Sequence, residues 1–462
     1  MRMNARSHDW LCLWKLLVIF AFCFSGCKDE ERSAEAAYDP SKPIVVSDFT
    51  PKEGGVGSRL VIYGDNFGND ASRVKVLIGG QQAKVIGLKN NSLYCFVPPK
   101  AYSGDIEITI MDENNEELSY SKCESNFTYK KKMLVSTFIG QMYENNTKYD
   151  IKDGPFDDCG GLEKMEWMTF DPNDHNKLYI CGGGKSHRVV DFENKQLKTI
   201  KFSGDAASGT MNCFSFTQSG DLIVVKDVSS DNSYGLFVYS KESGFTDLKA
   251  SLKNVRGCRA AVSHPVNGEI YISRYPDGWM STINPETFGM IPGTVKSGYG
   301  SSEMFAVVHP TGNYMYIMMR NKHMILRSDY DWEKKSFGTP YLACGKNGTS
   351  GFQDGVGNSV RMYEPQQGVF VKNPVYAGNE DEYDFYFCDK KNHCIRCLTP
   401  LGYVSTFAGR PNNDGTNGFN DGDLRTEARF NYPAGIAYDD QRNCFFVGDS
   451  DNHRIRKIAL EE

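Results

Sequence analysis

Aromatic and charged residues recur at positions predicted to meet on one surface. Trp279 follows Arg274, Tyr275 and Asp277 within six positions. Flat rings cover the apolar faces of a sugar, and a guanidinium forks onto a carboxylate or a sulfate. These residue types therefore favour carbohydrate binding, of an acidic sugar in particular, although Trp279 could instead pack against a neighbouring repeat. The candidate ligand-binding residues are Arg256, Arg259, Arg274, Tyr275, Asp277, Trp279, Glu303, Arg361, Tyr363, Glu364 and Arg429.

Two of the acidic candidates raise the question of catalysis. Glu303 and Glu364 could serve as general acid and general base, the pair that acid–base chemistry on a glycosidic bond requires. The sequence contains no nucleophile elbow, no metal-binding triad and no phosphate-binding loop. Binding without turnover is therefore the first hypothesis, and an enzyme acting on glycans is the alternative.

Histidines recur at one place in the repeating part of the chain. His187, His323, His393 and His453 are each predicted to lie in the turn between the second and third strands of separate sheets. Zinc needs its ligands about 2 Å away, and residues held in separate sheets away from the axis do not converge to that distance. We therefore interpret these histidines as residues that fix turns rather than as metal ligands or catalytic bases.

Oxygen-rich loops precede the last two repeats. Residues 351–365 and 418–433 share the pattern G-F-x-D-G followed by an arginine and a proline. Carboxylate and amide oxygens could bind calcium, but a pattern that recurs with the repeats favours a role in turns and packing. The calcium candidates are Asp414, Asn417, Asp421 and Asp423.

The chain has 14 cysteines, and their scattered positions do not resemble a disulfide scaffold. Cys394 and Cys397 form a C-x-x-C pattern, but residues three apart on a strand point to opposite faces. Buried free thiols are therefore predicted for this pair. Whether Cys95 and Cys123 form a disulfide is left open.

The later part of the chain is repetitive. The block D-x-x-N-H-x-I-R occupies residues 389–396 and again residues 449–456, each time after a short apolar run. This block resembles the NHL-repeat family, and the resemblance implies the blades of a β-propeller. Weaker copies upstream bring the number of blades to about six.

One apolar segment indicates how the ring would close. Residues 133–139 read M-L-V-S-T-F-I, and residues 403–409 read Y-V-S-T-F-A-G. The second copy ends a repeat, whereas the first has no repeat before it. We predict that residues 133–140 pair with the last strand, residues 453–459, so that the sheet edges are covered. The predicted propeller extends over residues 131–462.

Residues 42–130 consist of short β-rich runs broken by Gly, Pro and Asn, which predicts a small sandwich of about seven strands. The turns G-D-N-F-G at 64–68 and V-P-P at 97–99 resemble those of the immunoglobulin-like TIG (IPT) domain. Such domains mostly serve as spacers or binding modules. The predicted fold class is all-β: an immunoglobulin-like β-sandwich followed by a six-bladed β-propeller closed by an N-terminal strand.

The first 27 residues have a charged start and an apolar run at 11–22, which indicates a secretory leader. Residues 24–27, F-S-G-C, resemble a bacterial lipobox, which implies lipidation of Cys27. The acidic run that follows resembles the tag that sends some lipoproteins of glycan-foraging Gram-negative bacteria to the exterior of the outer membrane. Residues 28–41 are predicted to form a tether.

The formal net charge of −6 argues against a nucleic-acid partner, which selects a basic surface. The first hypothesis is an outer-membrane lipoprotein that binds polysaccharide or oligosaccharide through the propeller face, with no cofactor apart from the calcium considered above. Related propellers include lyases and hydrolases, which keeps the enzyme alternative open. NHL-type rings are also common partner platforms, so a protein–protein interaction scaffold is a third hypothesis.

Overall fold

The computed structural model describes residues 36–140, 150–182, 187–202, 204–207 and 209–461. The lipidation candidate Cys27, and the first part of the predicted tether, lie outside these residues. The chain forms two compact units, one that ends at Lys132 and one that spans Met133–Glu461.

The first unit is an antiparallel β-sandwich. The strand Gln81–Lys89 belongs to both sheets, because its first residues pair with Val74–Ile78 and its remainder pairs with Ser92–Phe96. Alternating residues such as Ile106, Ile108 and Ile110 are buried, as expected for strands with one face in a core. In sheet order, the strands are Val45–Thr50, Arg59–Asp65, Ser92–Phe96, Gln81–Lys89, Val74–Ile78, Ile106–Met111 and Glu117–Lys122.

Two short elements complete the first unit. Glu53–Gly54 pairs in parallel with Thr128–Tyr129, and Ala71–Arg73 forms a single 3₁₀ turn. The seven-stranded sandwich that the sequence predicts is confirmed.

The second unit is a six-bladed β-propeller, as predicted. Each blade is an antiparallel sheet of four principal strands, numbered here from the innermost outwards. The blades are, in order, Met165–Phe170, Lys177–Gly182, His187–Asp191 and Gln196–Ile200; Met211–Phe216, Leu222–Lys226, Leu236–Tyr239 and Leu248–Leu252; Ala261–Ser263, Ile270–Arg274, Trp279–Ile283 and Met290–Lys296; Met304–Val308, Tyr314–Met319, Met324–Asp331 and Tyr341–Gly345; Pro365–Lys372, Tyr383–Asp389, Cys394–Leu398 and Tyr403–Gly409; and Pro433–Asp439, Cys444–Asp449, Arg454–Leu460 and Met133–Ile139.

Short elements decorate the blades. Three two-residue strands extend the outer edges of the first, fifth and sixth blades, and a fourth pairs within the fourth blade. These strands are Gly154–Pro155, Gly355–Val356, Gly422–Asp423 and Ser336–Phe337. The 3₁₀ turns are Gly204–Ala207, Arg320–Lys322, Pro374–Tyr376, Lys390–Asn392, Pro411–Asn413 and Ser450–Asn452.

The second strands of the blades are buried on both faces, because each blade packs against a neighbour on either side. All six residues of Tyr314–Met319 are buried, and so are all six of Cys444–Asp449. Such strands read as continuous apolar runs rather than as alternating patterns. The apolar runs that mark the repeats in the sequence are thus the interior of the ring.

The outer position of the sixth blade is held by the strand that precedes all the others in the unit. Met133–Ile139 pairs antiparallel with Arg454–Leu460, with Val135 opposite Ile458. The alternate residues face opposite sides: Val135 is 1% exposed in a cluster with Ile458 and Phe445, whereas Ser136 is exposed. The sequence prediction of this pairing agrees with the register, and we propose that the pairing closes the ring.

The cysteines of the described residues are free and buried. Burial raises the pKa of the Cys394 and Cys397 thiols, so both favour the protonated form. The prediction of buried free thiols at these positions is confirmed, and Cys95 and Cys123 are also unpaired.

The proposed closing role of Met133–Ile139 predicts a large effect from a charge at Val135. We expect Val135→Asp to destabilise the propeller by several kcal/mol, roughly the cost of an unpaired buried charge. The matched control is Ser136→Asp on the exposed side of the same strand, which should change stability by less than about 0.5 kcal/mol. Thermal unfolding compares the two variants, and equal melting temperatures would contradict a closing role.

His187 corrects one expectation and yields a pH prediction. It begins the third strand of the first blade rather than lying in a turn, and its ring is 5.4 Å from the ring of Phe214. Burial lowers its pKa from 6.5 to about 4. The unfolded chain binds the proton more tightly than the folded protein does. The free energy of unfolding is therefore undiminished above pH 6.5 and decreases as the pH falls towards 4.

We expect the lowered pKa of His187 to reduce the free energy of unfolding by roughly 3 kcal/mol as the pH falls through that range. The variant His187→Phe removes the titration in surroundings that already contain Phe202 and Phe214. Denaturant unfolding measured over this pH range should show a shallower loss of stability in the variant. Parallel curves for variant and parent would refute the assignment.

Candidate functional site

The block at residues 389–396 anchors the loop that leads into the fifth blade. Asp389 and Arg396 are fully buried, and the guanidinium Nη1 lies 3.1 Å from the carboxylate Oδ2. Arg396 Nη1 also donates to the carbonyl of Arg361 at 2.7 Å, and Nη2 donates to Asp354 Oδ1 at 2.7 Å. Asn392 Nδ2 donates to Asp389 Oδ2 at 2.8 Å. The buried charges therefore hold the leading loop against the third strand.

The sixth blade repeats this arrangement. Arg456 Nη1 lies 2.9 Å from Asp449 Oδ2, and Nη2 lies 2.6 Å from Asp421 Oδ1. Asn452 Nδ2 donates to Asp449 Oδ2 at 2.7 Å. Burial raises the pKa of Asp449 to about 6, and the neighbouring guanidinium opposes that rise. The shared sequence pattern thus encodes a shared buried network.

Histidines of the block connect successive blades. His323, His393 and His453 all have left-handed backbone conformation, with φ of 59°, 56° and 55°. The Nδ1 atoms of His323 and His393 accept from the backbone N–H groups of Glu364 at 3.3 Å and Tyr432 at 3.2 Å. Their predicted role in fixing turns agrees with these contacts, which join each turn to the loop leading into the next blade.

These loops and turns form one end of the ring, which we call the leading-loop face. It comprises the loops that lead into the innermost strands and the turns between second and third strands. At its centre, Gln366 Nε2 donates to the carbonyl of Glu166 at 3.0 Å. Gln367 Oε1 accepts from Met168 N–H at 2.8 Å and from Ile436 N–H at 3.0 Å. Hydrogen bonds therefore join the innermost strands of the first, fifth and sixth blades.

An alternating chain of acids and bases surrounds the axis on this face; we call it the axial lattice. It consists of Asp227, Arg259, Glu303, Arg320, Glu166 and Lys390, in that order of contact.

Glu303 occupies the middle of the axial lattice. Arg259 lies 3.1 Å from one carboxylate oxygen of Glu303, and Arg320 lies 2.6 Å from the other. On the far side, Glu166 is 3.8 Å from Arg320 and 3.3 Å from Lys390. Members of five blades thus converge on the axis.

The charges of the axial lattice compensate one another. Burial raises the pKa of Glu166, but Lys390, Gln366 and Arg320 outweigh burial, so the pKa is lowered overall. Burial lowers the pKa of Arg259, and Asp227 and Glu303 reverse that effect. These two groups are therefore ionised at neutral pH.

The axial lattice remains accessible from outside. The exposed fraction of its side chains runs from 12% for Lys390 to 37% for Asp227. Below it, Trp167 stacks on Phe305 at 6.0 Å, and the Arg320 guanidinium lies 5.8 Å from the Phe305 ring. A bound molecule can thus reach fixed donors and acceptors that rest on an aromatic support.

Trp279 and Tyr275 lie at the rim of the leading-loop face. They are 37% and 36% exposed. The Trp279 ring lies against Gly293 in the outer strand of its own blade. The contact is close: a Cβ atom on Gly293, whose φ is +64°, would lie 2.9 Å from the ring. Lys296 Nζ is 5.2 Å from the ring centroid. Trp279 therefore packs on the outer strand of its own blade.

Arg274 is held beside these rings by two carboxylates. It lies 2.6 Å from Asp277 and 2.9 Å from Asp231. Arg256 is exposed in the loop that leads into the same blade. The third blade thus presents a rim cluster of Arg256, Arg274, Tyr275, Asp277 and Trp279, separate from the axial lattice.

A second rim cluster belongs to the fifth blade. Lys391 pairs with Glu364 at 2.6 Å and lies 4.9 Å from the centroid of the Tyr363 ring. Tyr363 also meets the ring of His323 edge to face. Glu364 and Glu303 therefore engage different cations and do not form a pair.

Arg361 and Arg429 stabilise leading loops instead of pointing towards a ligand. Arg361 Nη1 donates to the carbonyls of Asn358 at 2.6 Å and Val360 at 2.8 Å. Arg429 Nη2 donates to Asp414 at 2.7 Å and Nη1 donates to the carbonyl of Thr416 at 2.8 Å. Their side chains are committed to their own loops.

The four calcium candidates have separate protein partners. Asp421 binds Arg456, Asp414 binds Arg429, and Asn417 donates to Asn431 at 2.9 Å. Asp423 accepts from the backbone N–H groups of Arg425 and Thr426. These contacts support the turn-and-packing interpretation of the loop.

Among the described residues, one group has ligand atoms close enough for a metal. His175, Asp439 and Asp440 place three such atoms within 4.8 Å of one another. Asp439 already accepts from Arg442 Nη1 at 2.7 Å and from the backbone N–H groups of Gln441 and Arg442. This carboxylate is therefore occupied by the turn that contains it.

Glu166, Arg320, Lys390 and Asp227 are functional candidates that sequence reasoning missed. Each stands alone in its own blade, so no local spacing marks it. Asp227, Arg320 and Lys390 do share one signal: each directly follows the second strand of its blade. Only the arrangement of the blades around the axis brings these four residues together.

No helix in the described part of the chain has the length and apolar character needed to cross a membrane.

Two protein families match segments of this chain. The IPT/TIG domain family matches residues 43–130, and the NHL repeat family matches residues 430–458. No curated protein sequence matches the chain.

Several solved structures resemble the chain over most of its length. An auxiliary nutrient binding protein from Bacteroides thetaiotaomicron is 48% identical, with a TM-score of 0.87, and one from Bacteroides ovatus is 45% identical, with a TM-score of 0.72. Each match covers 92% of this chain and 100% of the other. A Bacteroides thetaiotaomicron protein provisionally assigned as a phosphatase is 38% identical, with a TM-score of 0.80, and its match covers 92% of this chain and 99% of that one. The chain therefore belongs to the family of these Bacteroides auxiliary nutrient binding proteins.

Proposed function

We propose that this protein is a lipid-anchored surface protein that binds a polysaccharide or oligosaccharide on its leading-loop face, without catalysis. The observation that carries the proposal is the axial lattice, an accessible arrangement of carboxylates and cations fixed by five blades. The nutrient binding named for the two Bacteroides relatives supports a binding role.

The chemistry of the axial lattice suits a hydroxylated ligand. A sugar hydroxyl both donates and accepts, so neighbouring hydroxyls can donate to Glu303 or Glu166 and accept from Arg259 or Lys390. Hydrogen bonds to charged groups are stronger than those between neutral groups. Because these groups are already held by one another, little ordering of side chains opposes binding.

The same pairing argues against the acidic sugar that the residue types first favoured. The guanidinium of Arg259 lies between Asp227 and Glu303, and that of Arg320 contacts Glu303 and Glu166. An anionic group at the axis would meet the neighbouring carboxylates as well as the guanidinium. A neutral glycan is therefore the better fit to the centre of the face.

The contacts also favour binding over turnover. A general acid must hold a proton, which carboxylates do in apolar surroundings. Glu303 is held by two guanidinium groups and Glu364 by Lys391. Neither carboxylate lies in apolar surroundings, and the two residues engage different cations.

The proposed location follows from the leader. Lipidation of Cys27 would tether the protein to the outer membrane, and the IPT/TIG domain would serve as a spacer between the anchor and the propeller. Labelling with a radioactive fatty acid tests this part: incorporation should be abolished by Cys27→Ala. Incorporation in the variant would contradict the anchor.

We expect the purified protein to be retained by at least one neutral polysaccharide in affinity gel electrophoresis. The panel comprises starch, xylan and galactomannan, with polygalacturonate and chondroitin sulfate as acidic members. Glu303→Gln and Arg320→Met should each weaken retention about tenfold, since each removes a charged hydrogen-bonding partner. Trp279→Ala separates a contribution of the rim from that of the axis.

The matched control is Glu380→Gln, in the loop between the first and second strands of the fifth blade, which belongs to the opposite face. It should leave retention unchanged. Retention by no polysaccharide would contradict the proposal and favour the protein-interaction scaffold. Release of shorter oligosaccharides from a retained polymer would favour the enzyme.

A further inference from the structure

A cavity opens at the end of the axis opposite the axial lattice. Its volume is about 530 Å³, and all six blades contribute to its walls. The contributions come from the end of each innermost strand and the residues that follow it, as with Phe170 and Phe216. We call this cavity the axial cup.

A layer of hydrogen bonds lies on the axial cup's side of the lattice. Gln367 makes three hydrogen bonds, two of them to the backbone of Met168 and one to that of Ile436. Gln366 joins the first and fifth blades one residue closer to the lattice. Both side chains are buried.

The wall of the axial cup is apolar in every blade. The residues concerned lie at or near the carboxyl ends of the innermost strands. They are Phe170, Phe216, Val262, Val308, Val369 and Tyr438. Five of the six retain partial exposure, and Val262 is 8% exposed. Apolar surface left in contact with water is unfavourable by roughly 25 cal/mol per Å², so a ligand that covers it gains free energy.

Several polar side chains around the axial cup are engaged by the protein, whereas the buried Ser215 Oγ has no hydrogen-bond partner. Gln218 Nε2 donates to the carbonyls of Pro265 at 2.9 Å and Val266 at 2.8 Å. His264 is fully buried, with its Nε2 3.0 Å from the carbonyl of Gly312. No Lys, Arg, Asp or Glu lines the cup among the described residues. A charged or highly hydroxylated ligand would thus lose its hydration and find few partners.

We propose that the axial cup is a second binding site, which takes one small, predominantly apolar molecule. Its volume lies within the range of about 300–1,000 Å³ typical of small-molecule sites, and it shares their apolar lining with few polar groups. Its ligand differs in chemical class from the hydroxylated ligand proposed for the opposite face.

The neutral fluorophore N-phenyl-1-naphthylamine tests this assignment on the full chain. We expect saturable binding of one probe per chain with blue-shifted emission. Val369→Trp and Val308→Trp fill the cup from two blades, and each should weaken binding at least about tenfold because the apolar wall is no longer available. Leu401→Trp is the matched control, since Leu401 is 88% exposed and lies outside the cup.

Binding that does not saturate, or equal affinity in the filled variants and the control, would overturn the proposal. A crystal of the unsubstituted protein with the probe provides a readout that does not depend on the variants folding. Probe density in the cup supports the proposal, and density only elsewhere contradicts it. Polysaccharide retention should be the same with and without the probe, so the two sites can fail independently.

Discussion

The leading-loop face depends on guanidinium groups buried in the third strands of the last two blades. Arg396 and Arg456 are fully buried, and each uses its two Nη atoms to bind a buried aspartate, a loop aspartate and loop carbonyls. Removing a charge from water costs several kcal/mol unless it is paired and hydrogen-bonded. The leading loop must therefore adopt one conformation that supplies these acceptors, and that conformation sets the shape of the face.

The fourth blade reaches the same architecture without the buried charges. In the last two blades the aspartate lies four residues before the left-handed histidine and the arginine lies three residues after it. In the fourth blade, Met319 and Leu326 occupy these positions around His323, and they are 0% and 2% exposed. Apolar residues of suitable volume commonly replace a buried ion pair without loss of stability. The ion pairs thus add conformational definition to the last two loops, whereas the turn itself depends on the backbone of the histidine.

A structural feature can be predicted from the sequence when the residues that form it belong to one local pattern in the chain. The buried networks follow from one local pattern, so turn-fixing roles could be inferred for His393 and His453, whereas His187, outside that pattern, lies in a strand. The strand at 133–139 was recognisable because it matches the outer strand of another repeat. Arg361 and Arg429 were expected at a ligand, but both bind within their own loops. Arg361 donates to backbone carbonyls, and Arg429 donates to the carbonyl of Thr416 and to the carboxylate of Asp414.

The axial lattice was the least predictable feature, because its members come from five blades with no common spacing. Arg259 and Glu303 were identified from their place before an innermost strand, whereas Glu166 could not be assigned a partner until Arg320 and Lys390 were placed around the axis. The axial cup was missed for a similar reason. Its apolar residues end ordinary strands, and only the ring brings them together.

Hydrogen exchange in the variant Arg456→Leu tests the central claim that the buried guanidinium fixes the leading loop. The account predicts faster exchange confined to residues 418–432, with protection retained in the strands Cys444–Asp449 and Pro433–Asp439. Unchanged exchange in the loop would contradict it, because the loop would then hold its conformation without the arginine. Loss of protection throughout the propeller would contradict it too, since the arginine would then support the whole ring rather than one face.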